Sequence, residues 1–278
     1  MARPRNYQTE AIIIKKTKLG EADRILTLYT PRQGKIQAVA RGIRRPKSKM
    51  AGHLELLTHS QISLARGRNL DIIIGSQTIN SFLSLKNNLI LTSYGLYIIE
   101  LVNQFTPDQA EDETLFKLLL ETLTNLCTSN NCDPSTSSGQ GLLLRYFELK
   151  MLEMTGYRPQ LHECVICHQS LSPVVNSFCA HAGGMLCPLC ALKQPFSFEV
   201  SLNALKVLRF IQDNNLDAVT RLKINSSLAR ELEALTRHYL RYLLEREVKS
   251  VGWLDTLREQ LKQTTVNHAP VVAITDIE

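Results

Sequence analysis

Acidic residues are scarce at the start of this chain: residues 1–70 contain only Glu10, Glu21, Asp23 and Glu55. Against them stand fifteen Lys or Arg, a net +11. Since the whole 278-residue chain is +6, the remaining 208 residues carry about −5. Such a bias, in a segment that also reads as folded, is the footprint of a polyanion-binding module, with nucleic acid as the first partner to consider. Long apolar runs are missing too: no stretch of 18 or more apolar residues occurs, and Met1–Tyr7 is basic and polar with no signal-peptide-like apolar h-region and cleavage pattern after it. That leaves no candidate spanning helix or signal peptide, and the cytoplasm is the expected compartment. There is no Gly-x4-Gly-Lys-Ser/Thr loop, no His-Glu-x-x-His and no Gly-x-Ser-x-Gly elbow. These absences argue against the common hydrolase classes, so no catalytic residue is assigned and no enzyme activity is expected. Aromatics are few where the charge is highest, with Tyr7 and Tyr29 alone preceding Phe82. Binding there should rest on backbone charge and tolerate both sequence and strandedness.

At 44% hydrophobic content the chain can bury a sizeable core and divides into two or more units. Up to about Asn80 it breaks into short runs rich in β-branched residues. Strands are predicted near Thr9–Lys16, Arg24–Thr30, Lys35–Arg41, Leu56–Ala65 and Asp71–Ile79. Pro31-Arg32-Gln33-Gly34 and Arg66-Gly67-Arg68-Asn69 supply turn residues that tolerate positive φ. Gly42–Gly52 is basic and aperiodic, and reads as a mobile loop. Five short strands fit a small barrel, and an OB-fold and an SH3-like barrel satisfy the pattern equally.

Beyond Asn80 the apolar period lengthens to about 3.6. Helices are predicted over Leu83–Phe105, Thr114–Cys127, Leu142–Thr155, Leu202–Gln212 and Ser226–Glu247. Asn130–Gly141 reads as a flexible connection and the segment from Thr264 as a tail without a core pattern. No internal repeat is present. The apolar faces of Tyr94–Phe105 and Ser226–Glu247 offer either a groove for a partner's hydrophobic tail or, more simply, core.

Seven cysteines are an awkward number for a secreted disulfide framework. Four of them form Cys164-Val-Ile-Cys167 and Cys187-Pro-Leu-Cys190, nineteen residues apart. Each two-residue spacer turns a pair of thiolates toward one ion, and Gly183-Gly184 lets the intervening loop bring the halves together. Four thiolates leave no open position for water, which describes one structural Zn2+. A pair of redox dithiols is the alternative, but a thioredoxin-like motif should follow a βαβ pattern that is missing here. His162, His168, Cys179 and His181 are spare donors, ranked lower because none sits in a paired spacer. Cys127 and Cys132 read as ordinary thiols.

Three stretches carry a family resemblance. Gly20-Glu21-Ala22-Asp23-Arg24-Ile25-Leu26-Thr27-Leu28-Tyr29-Thr30, then Gly34-Lys35, Ala40-Arg41-Gly42-Ile43-Arg44-Arg45 and Gly52-His53-Leu54-Glu55, resemble the N-terminal barrel of the bacterial RecO family. Tyr146-Phe147-Glu148-Leu149-Lys150, Gly156-Tyr157-Arg158-Pro159 and the cysteine pairs resemble its helix-into-finger region. His238-Tyr239-Leu240, Lys249-Ser250 and Trp253-Leu254 resemble its closing helix. The resemblance spans roughly residues 8–258. It implies an α+β multidomain protein: an OB-fold barrel (1–81), a helical domain (82–160 and 191–262) with an embedded four-cysteine zinc finger (161–190), and a disordered tail (263–278). It further implies a mediator of recombination and DNA repair that binds single- and double-stranded DNA and anneals complementary strands. With RecR and RecF it would help load RecA onto strands coated by single-stranded DNA-binding protein, whose C-terminal tail it would dock, in association with the nucleoid.

The residues expected to meet phosphates are Lys35, Arg41, Arg44, Arg45, Lys47 and Lys49, followed by Arg24, Arg66 and Arg68. Two other classes compete. His53-Leu54-Glu55 with Cys187-Pro-Leu-Cys190 superficially matches the zinc deaminases, but the Pro lies inside the second pair and the extra cysteines would close the metal site. A basic zinc-containing RNA-binding protein would use the same charge and cysteines, and is the alternative function.

Overall fold

Alternation of inward and outward side chains over the first 80 residues builds five strands in a computed structural model that describes residues 5–128 and 138–267. They are β1 (Asn6–Leu19), β2 (Asp23–Thr30), β3 (Gly34–Ala40), β4 (His59–Ala65) and β5 (Asp71–Asn80). These close into a barrel in the order β1-β2-β3-β5-β4, antiparallel except where β3 meets β5. This is the five-stranded OB architecture. Ala11, Ile13, Leu26, Leu28, Ala38, Ile62 and Leu64 fill the interior. Ile12 and Ile14, of opposite parity, join the core of the helical region instead. The unbroken apolar run Ala11–Ile14 is thus explained by a strand buried on both faces.

The basic connection between β3 and β4 is a chain of turns ending in a 3-10 turn at Gly52–Leu54. It is anchored rather than free along its whole length, since Ile43 and Leu54 are buried in the barrel interior. The strand expected from Leu56 begins three residues later. Leu57 adopts φ 57° and bonds Ile13 through its backbone, and its side chain lies against Gly95 of the helical region.

The helices are α1 (Leu83–Lys86), α2 (Leu89–Phe105), α3 (Glu113–Thr128), α4 (Ser138–Met154), α5 (Pro188–Ala191), α6 (Leu202–Asp213), α7 (Leu216–Thr220), α8 (Ser226–Leu244) and α9 (Lys249–Asn267). Three short strands, β6 (Asn176–Cys179), β7 (Gly184–Leu186) and β8 (Phe198–Val200), form a separate sheet in the order β7-β6-β8. The single helix expected over Leu83–Phe105 is broken at Asn87–Asn88. There the Asn88 side chain accepts from the N–H groups of Ile90 and Leu91, both at 3.0 Å, and starts α2 afresh. The helix expected to reach Glu247 stops at Leu244, with Glu245 in the left-handed region. Residues 263–267, expected in a tail, continue α9, and residues 268–278 lie outside the described residues. Of the expected connection Asn130–Gly141, Ser138–Gly141 belong to α4 and the rest lies outside the described residues.

Helix α9 is held on α2 and α8 by apolar burial of Val251, Leu254 and Leu257 and by charge. The Glu100 carboxylate accepts from the N–H groups of Lys249 and Ser250, both at 2.9 Å, which satisfies orphan donors at the helix start. Arg237 forks onto Asp255 with two bonds of 2.9 Å, and Arg258 meets Glu233 at 2.6 Å. Beneath them Tyr97 donates to the fully buried Glu148 at 2.6 Å, beside Arg145. Tyr94, Ile98 and Leu101 of α2 are therefore core, as are Leu235 and Tyr239 of α8. None of the helices is long and apolar enough, over the described residues, to cross a membrane.

Candidate metal centre and nucleic-acid interface

The two cysteine pairs converge because the chain between them folds back as a hairpin. Strands β6 and β7 pair, and the first knuckle bonds onto β7 through Val165 N–H to Met185 O at 2.9 Å and Met185 N–H to Gln160 O at 2.9 Å. The close approach needs glycine, because a Cβ on Gly184 would sit 2.6 Å from Gln160 O, while Gly183 turns at φ +69°. Cys187 caps the short helix α5, which has Pro188 in its first turn. The four Sγ atoms of Cys164, Cys167, Cys187 and Cys190 lie within 4.8 Å of one another, and those of Cys167 and Cys187 are 3.8 Å apart. A tetrahedral ion with metal–sulfur bonds of about 2.3 Å holds its sulfurs about 3.8 Å apart. The residues fit a metal ion of that kind.

Their electrostatics agree. Burial works against ionising Cys164, yet the backbone around it, at Cys167, Cys187 and Ile166, brings its thiol down to about 6. Its neighbour Cys187 heads the causes that push Cys190 up to about 12. These opposite directions are what thiols crowded together show, and a shared cation would relieve that crowding. The spare donors stay out of the cluster. Cys179 is buried beside it, His162 faces Asp213 at 3.8 Å, His181 lies against the Tyr242 ring and His168 is exposed. Cys127 packs half-buried against the helical core, and Cys132 lies outside the described residues. His53 bonds Thr78 at 2.8 Å and Glu55 pairs with Lys16 at 2.7 Å, so the deaminase-like pair is spent inside the barrel region.

The basic side chains fall into two groups on the barrel. Arg24 stands opposite Lys18 on β1 and Ala40 on β3, which sets the β1–β2 turn beside the exit of β3. The following loop is seated on that turn by Arg44 N–H to Ala22 O at 3.0 Å and Gly42 N–H to Asp23 Oδ1 at 2.7 Å. Arg41, Arg44, Arg45, Lys47 and Lys49 are exposed and form no ion pair among the described residues, whereas Arg24 is half-buried. Strand β5 runs parallel to β3 from Asp71 beside Ala38, so the β4–β5 turn with exposed Arg66 and Arg68 lies back along β3, away from its exit, and next to the start of β1, where Ala65 pairs with Asn6. Arg5, absent from the residues expected to meet phosphates, is exposed here, and its carbonyl accepts a bond from Arg66 N–H at 2.9 Å. Its basic charge just ahead of β1 is the one signal in the sequence that points to it.

Lys35 belongs elsewhere. Its ammonium donates to the carbonyls of Asn103 (2.8 Å) and Thr106 (2.7 Å) and pairs with Asp108 at 3.3 Å, and the side chain is only 12% exposed. It closes the C-terminal end of α2, where unpaired carbonyls favour a cation. Next to it Gly34, at φ +59°, lies so close to the α2–α3 connection that a Cβ would fall 1.8 Å from Ala110 O. The β2–β3 hairpin is therefore docked on the helices. With Tyr29 and Thr27 buried as well, part of the β2–β3 face that OB-folds offer to oligonucleotides is covered. Replacing Lys35 by Ala should cost about 2 kcal/mol of stability and lower Tm by several degrees, with polyanion affinity unchanged within about twofold. A melting curve and a binding isotherm on the same sample check both halves.

The family described as Recombination protein O N terminal matches residues 1–82, and Recombination protein O C terminal matches residues 86–251. A curated relative from Dehalococcoides mccartyi (strain CBDB1), named DNA repair protein RecO, is 46% identical over 258 residues, covering 93% of this chain and 98% of its own. One of the same name from Roseiflexus sp. (strain RS-1) is 40% identical over 263 residues, covering 95% and 90%. A third, from Symbiobacterium thermophilum, is 34% identical over 254 residues, covering 91% and 98%. With a closed barrel, a helical region and a four-cysteine cluster under matches that run nearly its whole length, the chain belongs to the RecO family.

Proposed function

We propose that this protein is a DNA-binding mediator of recombination and repair, without catalytic activity of its own. The observation that carries the reading is the exposed cluster Arg41, Arg44, Arg45, Lys47 and Lys49 in the loop after β3, without ion pairs among the described residues. Side chains held at like charge in a small area gain most from a polyanion that takes up their mutual repulsion. The relatives' name, DNA repair protein, makes DNA the first choice of polyanion. Binding through phosphates needs no particular base order, and a protein that neutralises two strands at once favours their annealing. The mediator works in the cytoplasm on nucleoid DNA, engaging RecR, the C-terminal tail of single-stranded DNA-binding protein, RecF and RecA. The ion of the four-cysteine centre is zinc, in a structural role.

The test is annealing of two complementary oligonucleotides coated with single-stranded DNA-binding protein, without nucleotide. Wild type should anneal them rapidly, and a variant carrying Arg41, Arg44, Arg45 and Lys47 all changed to Ala should be slower by tenfold or more. No annealing by folded, metal-loaded wild type, together with preference for RNA over DNA of equal length, would move the function to RNA binding.

A further inference from the structure

The barrel has two aromatic side chains for bases to stack on, and one is out of reach. Tyr29 is fully buried, its ring 6.4 Å from that of Phe116 on α3. Tyr7, at the start of β1, is the other, and it is held unusually firmly. Its hydroxyl donates to Asp71 Oδ2 at 2.6 Å, while Asp71 Oδ1 accepts from Gly67 N–H at 3.1 Å. One carboxylate thereby ties the ring to the β4–β5 turn. The turn is tied again by Arg66 N–H to Arg5 O at 2.9 Å. The result is that the Arg66 guanidinium lies over the Tyr7 ring, 4.8 Å from its centroid.

A guanidinium is planar and weakly hydrated, and here its central carbon is held over an aromatic ring. Arg66 is exposed and has no carboxylate partner among the described residues, so it is accessible to a ligand. Arginine planes stack on unpaired nucleobases as aromatic rings do. Exposed Arg5 and Arg68 are near it, Arg68 two residues on in the same turn and Arg5 through the backbone bond to Arg66, and add positive charge that attracts a phosphate backbone. We propose that Arg66, backed by Tyr7, is a stacking subsite for one unpaired base of a single strand. A duplex keeps its base faces stacked inside, so this subsite would add to single-strand affinity alone and set a preference that the basic loop by itself does not provide. The inference rests on the nucleic-acid reading given above. Tyr7 and Asp71 are positioning residues, and Arg66 touches the base.

The experiment compares wild type, Arg66→Lys and Tyr7→Phe against a single-stranded oligonucleotide carrying 2-aminopurine and against a duplex of equal length. Arg66→Lys keeps the charge and removes the plane; Tyr7→Phe keeps the ring and frees it from Asp71. Arg66→Lys should bind the single strand about tenfold more weakly, the scale of one base stack, with the 2-aminopurine response lost. Its duplex affinity and salt slope should match wild type. Tyr7→Phe should lose part of the single-strand preference with no change toward the duplex. Equal losses on both substrates, or none on either, overturn the stacking subsite and leave the nucleic-acid reading standing. Failure of wild type to bind either substrate overturns both.

Discussion

Serine at Cys164 or Cys187 should abolish metal binding, from about one ion per chain to essentially none, and drop the melting temperature by ten degrees or more. The loss is large because the cluster has little else to hold it together: its own apolar core among the described residues is Cys164, Cys179 and Leu186, with a few half-buried neighbours. Ion binding by four thiolates is worth about 10–16 kcal/mol in small finger peptides. Here Leu161, Phe178 and Met185 also anchor the segment in the main core, so part of its order survives without the ion. A net loss of about 5 kcal/mol corresponds to roughly 10–20 °C for a chain of this size. Cys179→Ala is the control. It removes a buried thiol next to the cluster but no ligand, and should keep the ion with a small loss of stability. Elemental analysis and calorimetry on the three proteins decide it. A serine variant that retains a full complement of metal would rule out the four-thiolate centre. Acid should strip the ion as well, because thiolates bind protons in competition with it.

How much of this was readable from the residues alone follows the range of the interactions. The five strands were legible because alternation and turn chemistry are local, and the cysteine centre because paired spacers leave few other uses for four thiols. Lys35 was not. In the sequence it is one more cation in a basic block, and the carbonyls that engage it belong to Asn103 and Thr106, 68 and 71 residues away. The break at Asn87–Asn88 had a local signal, an asparagine ahead of an apolar run, but the helical period continues across it and hid the restart. The strands β6, β7 and β8, three or four residues each, are too short to show a period. Helix α9 entered only through the resemblance of Lys249-Ser250 and Trp253-Leu254 to a closing helix and not through periodicity, because its apolar residues Val251, Leu254 and Leu257 are separated by Gly252 and polar groups. What fixes it in place are partners on other helices, Glu100, Glu233 and Arg237. The burial of Tyr29, which leaves Tyr7 as the barrel's accessible aromatic, likewise depends on Phe116 of α3.

Affinity for nucleic acid should fall steeply with salt, and changing Arg41, Arg44, Arg45 and Lys47 to Ala should flatten that fall. Each phosphate neutralised releases condensed counterion, so the slope of log K against log salt is about −0.9 per phosphate on a duplex and about −0.7 on a single strand. With four fewer phosphates neutralised, the slopes should be smaller in magnitude by about 3.6 and 2.8 on the two substrates. The affinity at low salt should drop by at least a hundredfold, since these side chains are exposed and have no ion-pair partner among the described residues that the substitution would orphan. Stability should hold or rise slightly, because removing like charges from one loop relieves repulsion in the free protein. Lys35→Ala gives the opposite pattern, a lower melting temperature with the slope intact, because its charge is consumed at the end of α2. The pair of variants separates contact from scaffold. If the loop variant lost affinity but kept its slope, the loop would act by shaping the barrel end through Ile43 and Leu54. If both variants flattened the slope, Lys35 would have to leave α2 when nucleic acid binds, and the docking of the β2–β3 hairpin on the helices would be a state of the free protein only.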